Sequence, residues 1–141
     1  MSTEQNKQLV MRLIEEGFNQ GREAVIDELV SPRYRSQEEG MAAEGSAGVK
    51  ELVGSFRTTF PDFRLRVEHI LAEGDKVMTW AIFTGTHTGP LEAVPATGKK
   101  VMVKDVDLWR LEGGKVVESW AHFDQPGLLQ QLGVLAILEE E

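Results

Sequence analysis

Val101-Met102-Val103-Lys104-Asp105-Val106-Asp107-Leu108-Trp109-Arg110-Leu111 forms most of a run, residues 99–111, whose side chains alternate in character between two faces. A period of two is what a pleated strand imposes. Val101, Val103, Asp105, Asp107, Trp109 and Leu111 share one face; Met102, Lys104, Val106, Leu108 and Arg110 share the other. Alternate residues on a strand lie about 7 Å apart, so the two aspartates are neighbours. Enclosed among their apolar companions they would repel, and desolvation would raise the pKa of at least one, which prepares a carboxyl group for proton transfer near neutrality. Facing water, both would be solvated surface charges, with Val106 and Leu108 packed inside. Both faces carry apolar residues, so the spacing leaves the choice open.

Downstream, Gly113-Gly114 supplies the residues a two-residue hairpin turn favours, and a further strand follows from Lys115 to about Asp124. Upstream lies a long strand over residues 76–87. It is joined through Glu73-Gly74-Asp75 to another, in which Phe63, Leu65, Val67, His69 and Leu71 alternate with charged residues. Residues 88–98 form a proline-bearing loop. Before Pro61 the period is 3.6. Val49, Leu52, Val53, Phe56 and Phe60 mark one helix, and residues 22–30 a shorter one halted by Ser31-Pro32. Leu9, Val10, Leu13, Ile14 and Phe18 mark the first, capped by Ser2 or Thr3 and ending near Gly21. Residues 34–37 read as a short strand, and 38–48, including Gly45-Ser46-Ala47-Gly48, as a mobile loop. Residues 127–132 read as a last helical turn or two, and the acidic tail 139–141 as frayed. The plan is α+β: a curved antiparallel sheet wrapped on three N-terminal helices, in one domain spanning residues 1–141. A sheet bent around helices encloses a cone, whose interior is either packed core or ligand pocket.

With 15 Lys and Arg against 23 Asp and Glu, the chain carries a net charge of −8 and has no cluster of basic residues to meet nucleic acid or an anionic membrane. It contains no cysteine, which excludes disulfides, thiolate metal sites and a cysteine nucleophile. The first six residues are polar and lack the features of a secretory leader, and no apolar run is long enough to span a bilayer, so a cytoplasmic location is expected.

Three histidines, His69, His87 and His122, are scattered without metal-ligand spacing. His69, within an apolar stripe, reads as a hydrogen-bonded histidine at the core edge. His87 stands at a strand end, where it could reach the mouth of a cone, and His122 shares a strand face with Glu118, Trp120 and Asp124. There is no nucleophile elbow and no glycine-rich phosphate loop. The tryptophans and phenylalanines belong to the core, or, where they line a cavity, suit a flat or hydrophobic ligand.

Gly85-Thr86-His87-Thr88-Gly89-Pro90-Leu91, Pro95-Ala96-Thr97-Gly98-Lys99, Asp107-Leu108-Trp109-Arg110, Gly114-Lys115-Val116-Val117-Glu118 and Asp124-Gln125-Pro126-Gly127-Leu128-Leu129-Gln130-Gln131-Leu132-Gly133, together with Phe60-Pro61-Asp62, resemble the SnoaL-like polyketide cyclases, or predicted ester cyclases. These belong to the nuclear transport factor 2-like superfamily. The resemblance implies a cone of curved sheet and three helices, and a homodimer formed through the sheet. It implies cofactor-free, metal-free acid/base closure of a hydrophobic polyketide ester, with a carboxylate taking a proton from an activated carbon. The catalytic aspartate of the characterised cyclases falls on Ala121 here, and a second family position, held there by histidine, falls on Asp107. The expected site therefore has Asp107 as proton acceptor or donor, Asp105 as the neighbour that raises its pKa, and His87 as a polarising group. Phe18, Phe56, Phe83, Trp109 and Ala121 would form the wall. Cyclisation, isomerisation or hydrolysis of a carbonyl-bearing small molecule is one reading; a non-catalytic ligand-binding or dimeric interaction module is the other.

Overall fold

The computed structural model describes residues 1–37 and 43–134. The loop expected over residues 38–48 lies outside them at 38–42, and the tail 139–141 wholly so. Of that stretch, residues 45–48 are not loop; they form the first turn of the third helix.

The chain opens with α1 (Thr3–Arg12). Ser2 caps it in a reciprocal box, its hydroxyl accepting from the Gln5 amide while the Gln5 side chain accepts from the Ser2 amide. The same rod continues as a π-helical stretch (Leu13–Asn19). Its end is fixed by Asn19, whose side-chain amide donates to the Leu65 carbonyl at 2.9 Å and accepts from the Leu65 amide at 2.8 Å. A short helix, α2 (Glu23–Leu29), turns back against it and runs directly into β1 (Val30–Ser36). Helix α3 (Gly45–Thr59) follows, then the strands β2 (Arg64–Glu73), β3 (Lys76–Thr86), β4 (Lys100–Glu112) and β5 (Lys115–Phe123), and last α4 (Gln125–Gln131).

The five strands lie in the order β1-β5-β4-β3-β2. The α+β plan and the meander hold, and two refinements follow. The sheet is mixed, because β1 pairs parallel to β5 while every other pair is antiparallel. Ser31-Pro32 therefore does not simply halt the helix; it enters an edge strand, the place in a sheet where a residue without an amide proton is tolerated.

A second refinement concerns β2. Its register with β3 shifts between Val67 and His69, and a one-residue slip turns every later side chain to the other face. Phe63 and Leu65 are buried, but beyond the bulge it is Ile70 and Ala72 that pack on the core, while Leu71 is 63% exposed. His69 is accordingly outside, edge-on to Trp80, and is not a core-edge histidine.

The face of β4 that bears the aspartates is the inner one. Val101, Val103, Asp105, Asp107, Trp109 and Leu111 are all buried, and the helices cover that side of the curved sheet. Among the described residues no helix is long and apolar enough to cross a membrane.

Candidate functional site

Between α3 and the inner sheet face lies a cavity of about 100 Å³. Strand β4 supplies two polar groups of its wall, and register sets their neighbours: Asp107 pairs with Thr79 on β3 and Ala121 on β5, and Asp105 with Ala81 and Phe123. Both carboxylates line the cavity, at 8% exposure for Asp105 and 6% for Asp107. Charges this enclosed are rare without a compensating role. No lysine or arginine is among the described residues that line the space.

The remaining polar wall comes from β1 and β5. Tyr34 and Ser119 share a buried hydrogen bond of 2.6 Å between their hydroxyls, and both line the cavity beside Ser36. Because β1 is parallel to β5, residues 85 positions apart become partners.

Opposite stand rings. Phe56 on α3 meets Phe83 and Phe123 at centroid distances of 5.7 and 5.8 Å, and Phe63 stacks on Phe83 at 5.7 Å and 13°. Phe18 reaches the cavity from the π-helical stretch, whose wider turn re-aims a side chain that a regular helix would carry elsewhere. Arg57 secures that end of the helix. Its guanidinium donates to the carbonyls of Phe18 and Asn19, the latter at 3.2 Å, and lies 4.6 Å from the Phe63 ring centroid. Such a cation on a ring face fixes two cavity aromatics from behind.

Of the residues singled out in the sequence, Asp105, Asp107, Phe18, Phe56, Phe83 and Ala121 are brought together in this cavity. Trp109 and His87 are not among the described residues lining it. Trp109 stands behind the wall, its ring 6.1 Å from that of Phe18 and its indole N–H donating to the buried Thr79 hydroxyl at 2.9 Å. His87 is fully buried rather than at the mouth. Its Nδ1 accepts from the Thr97 amide at 3.1 Å and sits 2.9 Å from the Thr97 hydroxyl, and its ring packs 5.7 Å from Phe60. That bond assigns the proton to Nε2. The histidine thus pins the loop of residues 88–98 and is remote from the carboxylates. Tyr34, Ser119, Phe63 and Phe123 were not singled out, although Ser119, Ala121 and Phe123 alternate along β5 as cavity residues must. Among the described residues, no cluster of three or more His, Asp and Glu side chains could hold a metal ion.

The chain matches the family model described as SnoaL-like polyketide cyclase over residues 8–132. It is 32% identical over 120 residues to nogalonic acid methyl ester cyclase of Streptomyces nogalater, covering 82% of this chain and 89% of that protein. Among solved structures, TsrD from Streptomyces laurentii superposes with a TM-score of 0.86 at 27% identity, covering 96% of this chain and 99% of the other. A protein from Jannaschia sp. CCS1, assigned as a SnoaL-like polyketide cyclase, gives 0.83 at 32% identity, covering 95% and 93%. The cone of helices and mixed sheet, and the family match across nearly its whole length, place this chain in the SnoaL-like polyketide cyclase family.

Proposed function

We propose that the chain is a cofactor-free acid/base enzyme acting on a neutral, hydrophobic, carbonyl-bearing small molecule such as a polyketide ester, with Asp107 as the group that takes a proton from the carbon beside the carbonyl. The observation that carries this reading is the placement of two buried carboxylates inside an aromatic-walled cavity. A wall built only for packing would hold valine there, at far lower desolvation cost. Asp105 is the second charge on the same wall, and two carboxylates about 7 Å apart in a desolvated space oppose each other's ionisation. The Tyr34–Ser119 hydroxyl pair is the polar feature that a substrate oxygen would meet beside them. With acidic residues and, among the described residues, no lysine or arginine lining the space, an ester suits it better than a free acid. The relative named as a methyl ester cyclase points the same way.

Ala121 favours the second reading, a ligand-binding module, since the resemblance places the cyclases' catalytic aspartate there. One experiment separates the two. Neutral aromatic β-keto esters are incubated with the protein in D2O, and the loss of the α-proton signal is followed by NMR. Accelerated exchange that disappears in Asp107→Asn supports the enzyme; binding without exchange in the wild type supports the module.

The same reading includes a homodimer through the outer sheet face. Leu71, Met78, Leu108 and Trp120 fall in one register row across four strands, with Trp80, Val106 and His122 in the next. Leu71, Met78 and Trp120 are exposed. A continuous apolar row of this kind is the surface that a second copy would cover. Light scattering on an eluting size-exclusion peak should give twice the chain mass for the wild type and a monomer for Trp120→Glu; a monomeric wild type ends the dimer proposal.

A further inference from the structure

The cavity is small for the molecule that the proposed reaction needs. At about 100 Å³ it falls below the roughly 150 Å³ that accepts a benzene ring. A groove of about 790 Å³ adjoins it, and the two spaces share Leu52, Phe56, Ala121 and Phe123. Leu52 and Phe56 are one turn apart on α3, and Ala121 and Phe123 are alternate residues on β5, so a single helix face and a single strand face confront each other across the boundary. Phe56 and Phe123 close one side, ring edge to ring face, at 5.8 Å between centroids. Ala121 is the smallest of the four and stands directly opposite Asp107 in the β4–β5 pairing.

We propose that these four residues form a portal and that Ala121 sets what passes it: a slim carbonyl-bearing tip enters the cavity and reaches Asp107, while the bulky body of the ligand stays in the groove. This rests on the reading of the cavity as the reaction site. The groove offers Leu52, Phe56, Leu91 and Phe123 as apolar surface, with the buried Phe60 and Leu128 beneath. Its titratable lining groups are Glu92 and His122, and no lysine or arginine is among the described residues there, so the body it takes is neutral and apolar. Its rim is built. The Thr59 hydroxyl donates to the Pro90 carbonyl at 3.1 Å, the Gly89 amide donates to the Thr59 carbonyl at 3.0 Å, and the His87–Thr97 bonds hold the far end of the loop. At Gly89 a Cβ would fall 2.1 Å from the Thr58 carbonyl oxygen, so loop and helix approach as closely as glycine permits. Glu92 caps the rim with φ 51°, in a two-residue turn closed by the Leu91–Val94 pair.

The test uses three probes and titration calorimetry: naphthalene (body alone), acetone (tip alone) and 2-acetylnaphthalene (both). Wild type should bind 2-acetylnaphthalene at least tenfold more tightly than naphthalene and show no saturable binding of acetone. Ala121→Val, a β-branched residue suited to a strand, should erase that tenfold difference while leaving naphthalene within twofold. Thr58→Trp, on the exposed side of α3, should weaken both aromatic probes. The portal is overturned if Ala121→Val leaves the preference for the acetyl probe intact, or if Thr58→Trp spares both aromatics. The portal is read from binding in the Ala121 and Thr58 variants, with Asp107 unaltered. Deuterium exchange surviving in Asp107→Asn therefore sinks the catalytic reading alone, whereas an unchanged acetyl preference in Ala121→Val sinks the portal alone.

Discussion

The two faces of β4 use charge in opposite ways. Outside, Arg110 donates to Glu118 at 2.8 Å and pairs with Glu112, and Lys104 rests its ammonium 4.7 Å from the Trp80 ring centroid. The Arg110 pairs sit at the solvated face, where such pairs contribute little to stability. Inside, two like charges share a wall with rings and lack a lysine or arginine among the described lining residues. One strand therefore carries solvated charges on one side and two buried carboxyl groups on the other. That difference in burial is what the proposed function rests on.

The sharpest contrast is in turnover. Asp107→Asn on the inner face should lower it by about 10²- to 10⁴-fold, the range for losing a general base. Neutralising the outer face by Lys104→Gln should change it less than twofold, and equal losses in the two variants would erase the distinction. Next comes stability. Thr79→Val leaves the buried Trp109 N–H without its acceptor and should cost about 1–3 kcal/mol in urea denaturation, whereas Arg110→Ala, on the solvated side, should be hard to separate from wild type. The smallest effect concerns pH. The Thr86 hydroxyl and amide both donate to the Asp62 carboxylate, at 2.7 Å each, and hold its pKa below the ordinary 3.8. A group depressed in the folded state stabilises it above the unfolded value and loses that contribution as pH falls through the folded one. Asp62 is exposed, so screening reduces the gain: Asp62→Ala should cost no more than about 0.5 kcal/mol at neutral pH and progressively less as acid protonates the wild-type carboxyl.

How far the sequence carries depends on which interactions are local. The strand at 99–111, the Gly113-Gly114 turn and the three helical stripes are written in neighbouring residues, and all are present. Both turn glycines adopt positive φ, 58° and 78°. The face of β4 that turns inward is not local, because Val106 and Leu108 balance Val103 and Trp109 in hydrophobicity; only the covering helices decide it. The β2 bulge is invisible for a similar reason. Phe63 to Glu68 alternates cleanly, the apolar pair Ile70-Leu71 then fits either face, and the slip arises from pairing with β3. Tyr34 and Ser119 could not be matched in the sequence without knowing that β1 lies parallel to β5. Asp107 was already visible in the strand alternation and the family resemblance added Ala121, whereas His87, read from its place at a strand end as a polarising group, is bonded to Thr97 in the loop.

The parallel pairing of β1 with β5 also has a consequence in time. A hydroxyl contact across 85 residues closes a long loop, and loop closure must precede any reward from the contact. During synthesis, residues 30–36 leave the ribosome long before 115–123 exist to receive them, so the cavity wall is completed only when the last strand arrives. The wall of the hollow therefore depends on a pairing far apart in sequence, unlike the β2–β3 and β3–β4 pairings, which join consecutive strands.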